Sequence, residues 1–141
     1  MKDKFYKELR CQLKRHEGVK TKAYKDSLGV LTIGVGRNLE STGLSDKEID
    51  YLLINDINSA TDELYKIFNE DFSDSFTVER MKGLTDMIFN LGSTRFRKFK
   101  KMIKAIKNND WELAGEEAKD SKWYKQVGKR GEEIVKQLKE G

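Results

Sequence analysis

The stretch Glu17–Gly36, EGVKTKAYKDSLGVLTIGVG, decides how the rest of the chain is read. It begins where an amphipathic segment ends. Residues 3 to 15 carry Phe5, Leu9 and Leu13 at near-helical spacing among charged residues, which predicts a first helix stopping near Gly18 with Glu17 at its C-terminal end. The texture then changes. Val19, Thr21, Tyr24, Val30, Thr32, Ile33 and Val35 are β-branched or aromatic, and Gly29, Gly34 and Gly36 punctuate them. That pattern predicts a small antiparallel sheet in which Lys25-Asp26-Ser27-Leu28-Gly29 is a turn.

Downstream, Ser45-Asp46-Lys47-Glu48 has the form of a capping box and opens a helix of about 46–68, with Ile49, Leu52, Leu53, Ile57, Ala60, Leu64 and Phe68 on one face. From Thr77 onward the pattern predicts shorter helices: about 78–91 ending at Gly92, 96–107 ending at Asn108-Asn109, 111–120 capped by Asp110, and a last piece after Gly131. The expected architecture is α+β in a single domain, residues 1–141. A small sheet lobe (about 17–44) is joined by the connecting helix (about 46–68) to a helical lobe (about 76–141), with helix 3–15 packing on that helical lobe.

Composition narrows the possibilities. A length of 141 residues suits one core, and although 37% of residues are charged, seven Phe, five Tyr and two Trp are available to fill it. Trp111, Trp123 and Tyr124 read as core residues because Leu113 and Val127 are interleaved with them. Cys11 is the single cysteine, so no intramolecular disulfide is possible, which suits a reducing cytoplasm. The N-terminal residues contain no apolar run of signal length and no apolar run of 18 occurs anywhere, so the expectation is synthesis in the cytoplasm with neither export signal nor membrane span. A monomer is expected. One His and one Cys cannot supply a zinc ligand set and no calcium-loop spacing occurs, so neither metal nor cofactor is expected. His16, beside Glu17, reads as a solvated or helix-capping residue.

The net charge of +4 conceals an acidic middle (45–79) flanked by basic regions. Residues 94–107, TRFRKFKKMIKAIK, are basic without one acidic residue. They read first as a surface helix with an apolar inner stripe, and secondarily as an attraction for anionic wall polymers or lipid. Beyond charge, nothing supports a nucleic-acid partner.

Cleaving a glycosidic bond requires a carboxylic acid to protonate the leaving oxygen and a second carboxylate to activate water or stabilise the anomeric cation. Glu17 at a helix end and Asp26 in a hairpin turn are a pair of that kind, and Thr32 on the returning strand offers a hydroxyl to position water. Partial desolvation of Glu17 would keep it protonated, while Asp26 in a polar turn would stay ionised.

The letters around these residues, Glu17-Gly18, Ala23-Tyr24-Lys25-Asp26, Gly29 and Leu31-Thr32-Ile33-Gly34-Val35-Gly36, strongly resemble the phage-type lysozymes (glycoside hydrolase family 24, the T4 endolysin family). Met87-Ile88-Phe89-Asn90-Leu91-Gly92, Trp111-Glu112, Ser121-Lys122-Trp123-Tyr124-Lys125-Gln126 and Lys129-Arg130 extend the resemblance through most of the chain. It implies a lysozyme-like fold and hydrolysis of the β-1,4 bond between N-acetylmuramic acid and N-acetylglucosamine in peptidoglycan, the wall being reached after release from the host cytoplasm. Glu17 would be the general acid, Asp26 the base or nucleophile, and Thr32 the water-positioning group. Asn38, Phe89 and Asn90 would contact the saccharide, and Arg130 would be the basic residue near the catalytic Glu, where it would favour the ionised form of Glu17 and oppose the effect of desolvation. The alternative from another class is a catalytically idle peptidoglycan-binding domain of the same fold. Arg37 stands where the T4 member has a structural His, so any ion pair of that His is expected to be lost or rebuilt.

Overall fold

The computed structural model describes all residues, Met1–Gly141, and the chain divides into two compact units, Met1–Asp50 and Tyr51–Gly141.

In the first unit, α1 (Lys2–Glu17) runs to the predicted end, where Gly18 at φ 77° stops it and donates its N–H to the Lys14 carbonyl. Lys14, Arg15 and His16 occupy its last turn, where positive charge is favoured by the exposed carbonyls. No α1 residue is buried. The sheet follows as β1 (Lys20–Lys25), β2 (Leu31–Gly34) and β3 (Arg37–Asn38), antiparallel in the order β1-β2-β3. A bulge lies between Lys20 and Tyr24, after which Tyr24 pairs with Thr32 and Lys25 with Leu31. The last strand sets Asn38 opposite Thr32 and Arg37 opposite Ile33.

The capping box forms as predicted. Ser45 Oγ accepts from the Glu48 amide at 3.2 Å and Glu48 Oε1 accepts from the Ser45 amide at 2.9 Å, which starts α2 (Asp46–Phe68). Arg37 grips the same carboxylate with both terminal nitrogens, at 2.8 and 2.7 Å, and donates to the Gly43 carbonyl at 3.2 Å. The position after Gly36 is thus rebuilt as a bidentate pair tying β3 to a helix start.

The second unit is helical. Leu64 and Phe68 from α2 meet Leu84, Met87 and Ile88 of α3 (Val78–Leu91), Met102 and Ile106 of α5 (Lys100–Lys107), Trp111 and Ala114 of α6 (Trp111–Lys119), and Ile134 and Leu138 of α8 (Lys129–Glu140). Trp111 and Trp123 are buried, as expected. The connection after α2 is filled by aromatic rings, with Phe76 edge-on to both Phe68 and Trp111. Thr77 and Asp110 cap α3 and α6 by accepting from Arg80 and Leu113 amides.

Three expectations need correction. Residues 96–107 do not form one helix: α4 (Ser93–Phe96) ends in tight turns that bond Phe99 N–H to the Phe96 carbonyl, and Phe99 takes ψ 59°, so α5 starts afresh at Lys100. This lets Phe96 enter the core while Phe99 meets the edge of Trp123. A short helix not foreseen, α7 (Lys122–Val127), is capped by Ser121 Oγ accepting from the Tyr124 amide. The last helix begins before Gly131, not after it. The break is Gly128 at φ 58°, whereas Gly131 lies inside α8, where a Cβ would stand 2.9 Å from Tyr124 and 3.1 Å from Val127. Its missing side chain is what lets α7 lie on α8.

Arg80 closes the unit around its last helix. Its guanidinium donates to the carbonyls of Leu138 (2.9 Å), Ser75 (3.0 Å) and Lys139 (3.2 Å) while stacking 4.7 Å above the Trp111 ring. It therefore satisfies end carbonyls of α8 that have no helical partner. Lysine cannot reproduce this fork. Arg80→Lys is expected to lower unfolding stability by roughly 2 kcal/mol, the scale of charged hydrogen bonds lost from a partly buried site, as read from urea denaturation.

The pKa of Glu48 lies below its ordinary value, first because the Ser45 amide donates to it and further because the Ser45 hydroxyl and Arg37 favour the charged form. A carboxylate held lower in the folded than in the unfolded chain stabilises above the unfolded value, and that contribution disappears as pH falls through the folded one. Glu48→Gln should therefore trail wild type in thermal stability at neutral pH, with the gap closing in acid. A gap that widens in acid would contradict the pairing.

Candidate active site

The sheet unit brings the three predicted catalytic residues onto neighbouring elements. Glu17 is the last residue of α1, Asp26 opens the β1–β2 turn, and Thr32 lies in the middle strand.

The turn is built by Asp26 itself. One carboxylate oxygen, Oδ1, accepts from the amides of Leu28 and Val30, both at 2.9 Å, while the Asp26 amide donates to the Val30 carbonyl at 2.9 Å. Gly29 at φ 79° completes the reversal. The second oxygen, Oδ2, makes no hydrogen bond within the protein. Asp26 is thus oriented by one oxygen and left with a free acceptor on the other.

Thr32 is the one buried polar side chain in the molecule, 4% exposed. Its hydroxyl donates to the Val30 carbonyl at 2.8 Å, so the proton is committed and the lone pairs remain. What the hydroxyl has left to offer a water molecule is acceptance.

Glu17 differs from expectation in its surroundings. It is exposed, so the desolvation anticipated for it is not present in the free protein. Its carboxylate instead lies against the backbone of Gly36. A Cβ on Gly36 would fall 2.7 Å from Glu17 Oε2 and 3.1 Å from its carboxyl carbon, nearer than a real Cβ approaches. Gly36 also holds φ 65° in the turn joining β2 to β3. The backbone conformation favours glycine here, and a side chain would in addition require the Glu17 carboxylate to move aside. Neither was legible in the sequence beyond the Gly34-Val35-Gly36 pattern.

The four residues expected at substrate contacts have local partners. Asn38 Oδ1 accepts from the amides of Glu40 (3.0 Å) and Ser41 (2.9 Å), which closes the turn after β3. In the helical unit, Asn90 Oδ1 accepts from the Trp123 indole at 2.9 Å, and Arg130 is ion-paired with Asp86 at 2.6 Å. Phe89, 46% exposed, lines an apolar groove of about 670 Å³ together with Leu53, Ile57, Val78 and Met81. Both asparagines keep their amide N–H groups uncommitted. No group of three or more His, Cys, Asp or Glu side chains is placed to hold a metal ion.

The clearance at Gly36 yields a specific expectation. Gly36→Ala should cost about 1 kcal/mol from the left-handed backbone alone and should also displace the Glu17 carboxylate. A crystal structure of the variant with Glu17 unmoved would show that the contact is incidental.

Comparison with known proteins places this geometry in a family. The phage lysozyme family model matches residues 14–140. The chain is 27% identical to a protein named probable T4-type lysozyme 2 from Dictyostelium discoideum, the match covering 94% of both chains. It is 27% identical to peptidoglycan hydrolase gp36 of Pseudomonas phage phiKMV over 92% of this chain and 15% of that protein. Similarity to the pre-baseplate central spike protein Gp5 of Enterobacteria phage T4 is 26%, covering 87% of this chain and 26% of that one. With a matching model that spans the sheet, the turn and all the helices from α2 onward, the chain belongs to the phage lysozyme family and is a glycosidase of the lysozyme type.

Proposed function

We propose that the chain is a muramidase that hydrolyses the β-1,4 bond between N-acetylmuramic acid and N-acetylglucosamine, with Glu17 as general acid, Asp26 as base or nucleophile, and Thr32 as the residue that positions water. The observation carrying this reading is the divided use of the Asp26 carboxylate: Oδ1 holds the turn and Oδ2 is free. A carboxylate anchored through one oxygen has a defined direction for the other, which is what taking a proton from water or attacking an anomeric carbon requires.

In this reading Glu17 becomes an effective acid when the glycan covers it. An exposed carboxyl loses water on substrate binding, which favours its protonated form and strengthens its interaction with the leaving oxygen. Gly36 has no side chain to displace the carboxylate from this position. Thr32, with its proton already given to Val30, accepts from the water molecule and leaves the other water proton for Asp26. Whether Asp26 acts through water or bonds to the sugar is decided by the anomer released first: inversion for a base, retention for a nucleophile.

Asn38 and Asn90 bring donors to this reading. Each has its side-chain carbonyl occupied, so the amide N–H groups are the atoms left to meet sugar hydroxyls or acetamido carbonyls. Phe89 would add an apolar face to a saccharide ring. Arg130, neutralised by Asp86, would contribute to substrate contact mainly through hydrogen bonding.

Release of new reducing ends from purified peptidoglycan tests the assignment. Wild type should release them, with muramic acid at the new terminus, and Glu17→Gln should do so about 10²–10⁴ times more slowly. Release by Glu17→Gln at the wild-type rate would remove Glu17 from the acid's role. Binding of wall without release by either protein would favour the idle binding domain.

A further inference from the structure

The helical unit presents a basic face that the hydrolytic reading leaves unused. Arg95, Arg97, Lys98, Lys100, Lys101, Lys104 and Lys107 are all exposed, across α4, the turn after it, and α5. The ends of this face are partly balanced, Arg97 lying 3.8 Å from Glu63 and Lys107 3.8 Å from Asp71. Arg95, Lys98, Lys100, Lys101 and Lys104 have no carboxylate within 4.0 Å.

The arrangement works against the helix that carries it. Lys100 with Lys104, Lys101 with Lys104, and Lys104 with Lys107 are like charges at i,i+3 or i,i+4 spacing, which opposes helix formation. α5 has no acidic residue in its first turn and no side-chain cap to offset this. Its order comes from the opposite face, where Met102, Ala105 and Ile106 are buried. The positive charges thus stand on a rigid support, spaced by one helical turn.

We propose that this face binds the phosphodiester backbone of a polyol-phosphate polymer attached to the bacterial wall, and so holds the enzyme on its substrate. The proposal rests on the wall glycan being the substrate. Charge complementarity selects a polyanion, and what accompanies the charges selects its class. A bilayer surface helix needs an exposed apolar face to insert, yet the apolar side of α5 is spent in the core. Single-stranded nucleic acid needs exposed rings for base stacking, yet Phe96 is fully buried and Phe99 is edge-on to Trp123. A flexible chain of phosphates needs neither.

The test uses purified polyol-phosphate polymer, phosphatidylglycerol vesicles and a single-stranded oligonucleotide at equal phosphate concentration. Wild type is compared with the quadruple variant Lys98→Gln, Lys100→Gln, Lys101→Gln and Lys104→Gln, which keeps good helix formers at exposed positions. With about four phosphates neutralised, polymer affinity of wild type should fall about 50-fold between 50 and 200 mM salt, and the variant should lose most of both the affinity and the salt dependence. Hydrolysis of peptidoglycan stripped of the polymer should be the same for both proteins. Equal polymer binding by the variant, or wild-type binding to vesicles or oligonucleotide as tight as to polymer, would overturn the proposal. Failure of both proteins to cut stripped peptidoglycan would instead count against the hydrolase reading, since polymer binding is measured without cleavage.

Discussion

The sheet unit depends on the pair of hydrogen bonds that Asp26 Oδ1 accepts from Leu28 and Val30. They fix the length of the β1–β2 turn, and the turn fixes the register. Register then sets Thr32 opposite both Tyr24 and Asn38, and brings the chain through Gly34 to Gly36. A slip of one residue would exchange the faces of β2 and expose Thr32, the side chain that the present register buries. Because the chain contains neither a disulfide nor proline, such side-chain-closed turns carry the local order. Asn38 performs the same service after β3, and the Arg37–Glu48–Ser45 cluster after that.

The helical unit is held differently. Its order comes from a continuous core of Leu, Met, Ile, Phe and Trp side chains, with polar groups working at the edges. Arg80 binds the end of α8, Asn90 fixes the Trp123 indole, and Arg130 meets Asp86. Residues that family resemblance marks as substrate contacts therefore also have structural roles. Replacing them with alanine would mix two effects, whereas exchanging only the uncommitted atoms would separate them.

Much of this was legible in the sequence because it follows from local chemistry. The capping box at Ser45 and Glu48, the stop at Gly18, the Thr32 strand and the Asp26 turn each rest on residues within a few positions of one another. α2 and α3 matched their predicted ranges because strong periodicity ran between clear caps. What escaped notice depended on distant partners. The break at Phe99 accompanies its contact with the distant Trp123, and Gly131 reads as a stop until α7 is seen lying against it. The α7 helix is too short for periodicity, although Ser121 was an available cap signal. Likewise, Gly36 lies against a carboxylate nineteen positions earlier in the chain, and the exposure of Glu17 has no counterpart in residue type.

The proposed chemistry rests on one carboxylate serving two purposes, and substitutions at Asp26 divide them. Asparagine retains a carbonyl oxygen able to accept both turn amides but has no free anionic oxygen, whereas alanine removes both. The most direct measurement is therefore unfolding midpoint and peptidoglycan cleavage for Asp26→Asn beside Asp26→Ala. The account predicts that Asp26→Asn unfolds with wild type yet cuts at least about 10²-fold more slowly, and that Asp26→Ala loses stability as well. Cleavage by Asp26→Asn at the wild-type rate, or a midpoint as low as that of Asp26→Ala, would contradict it.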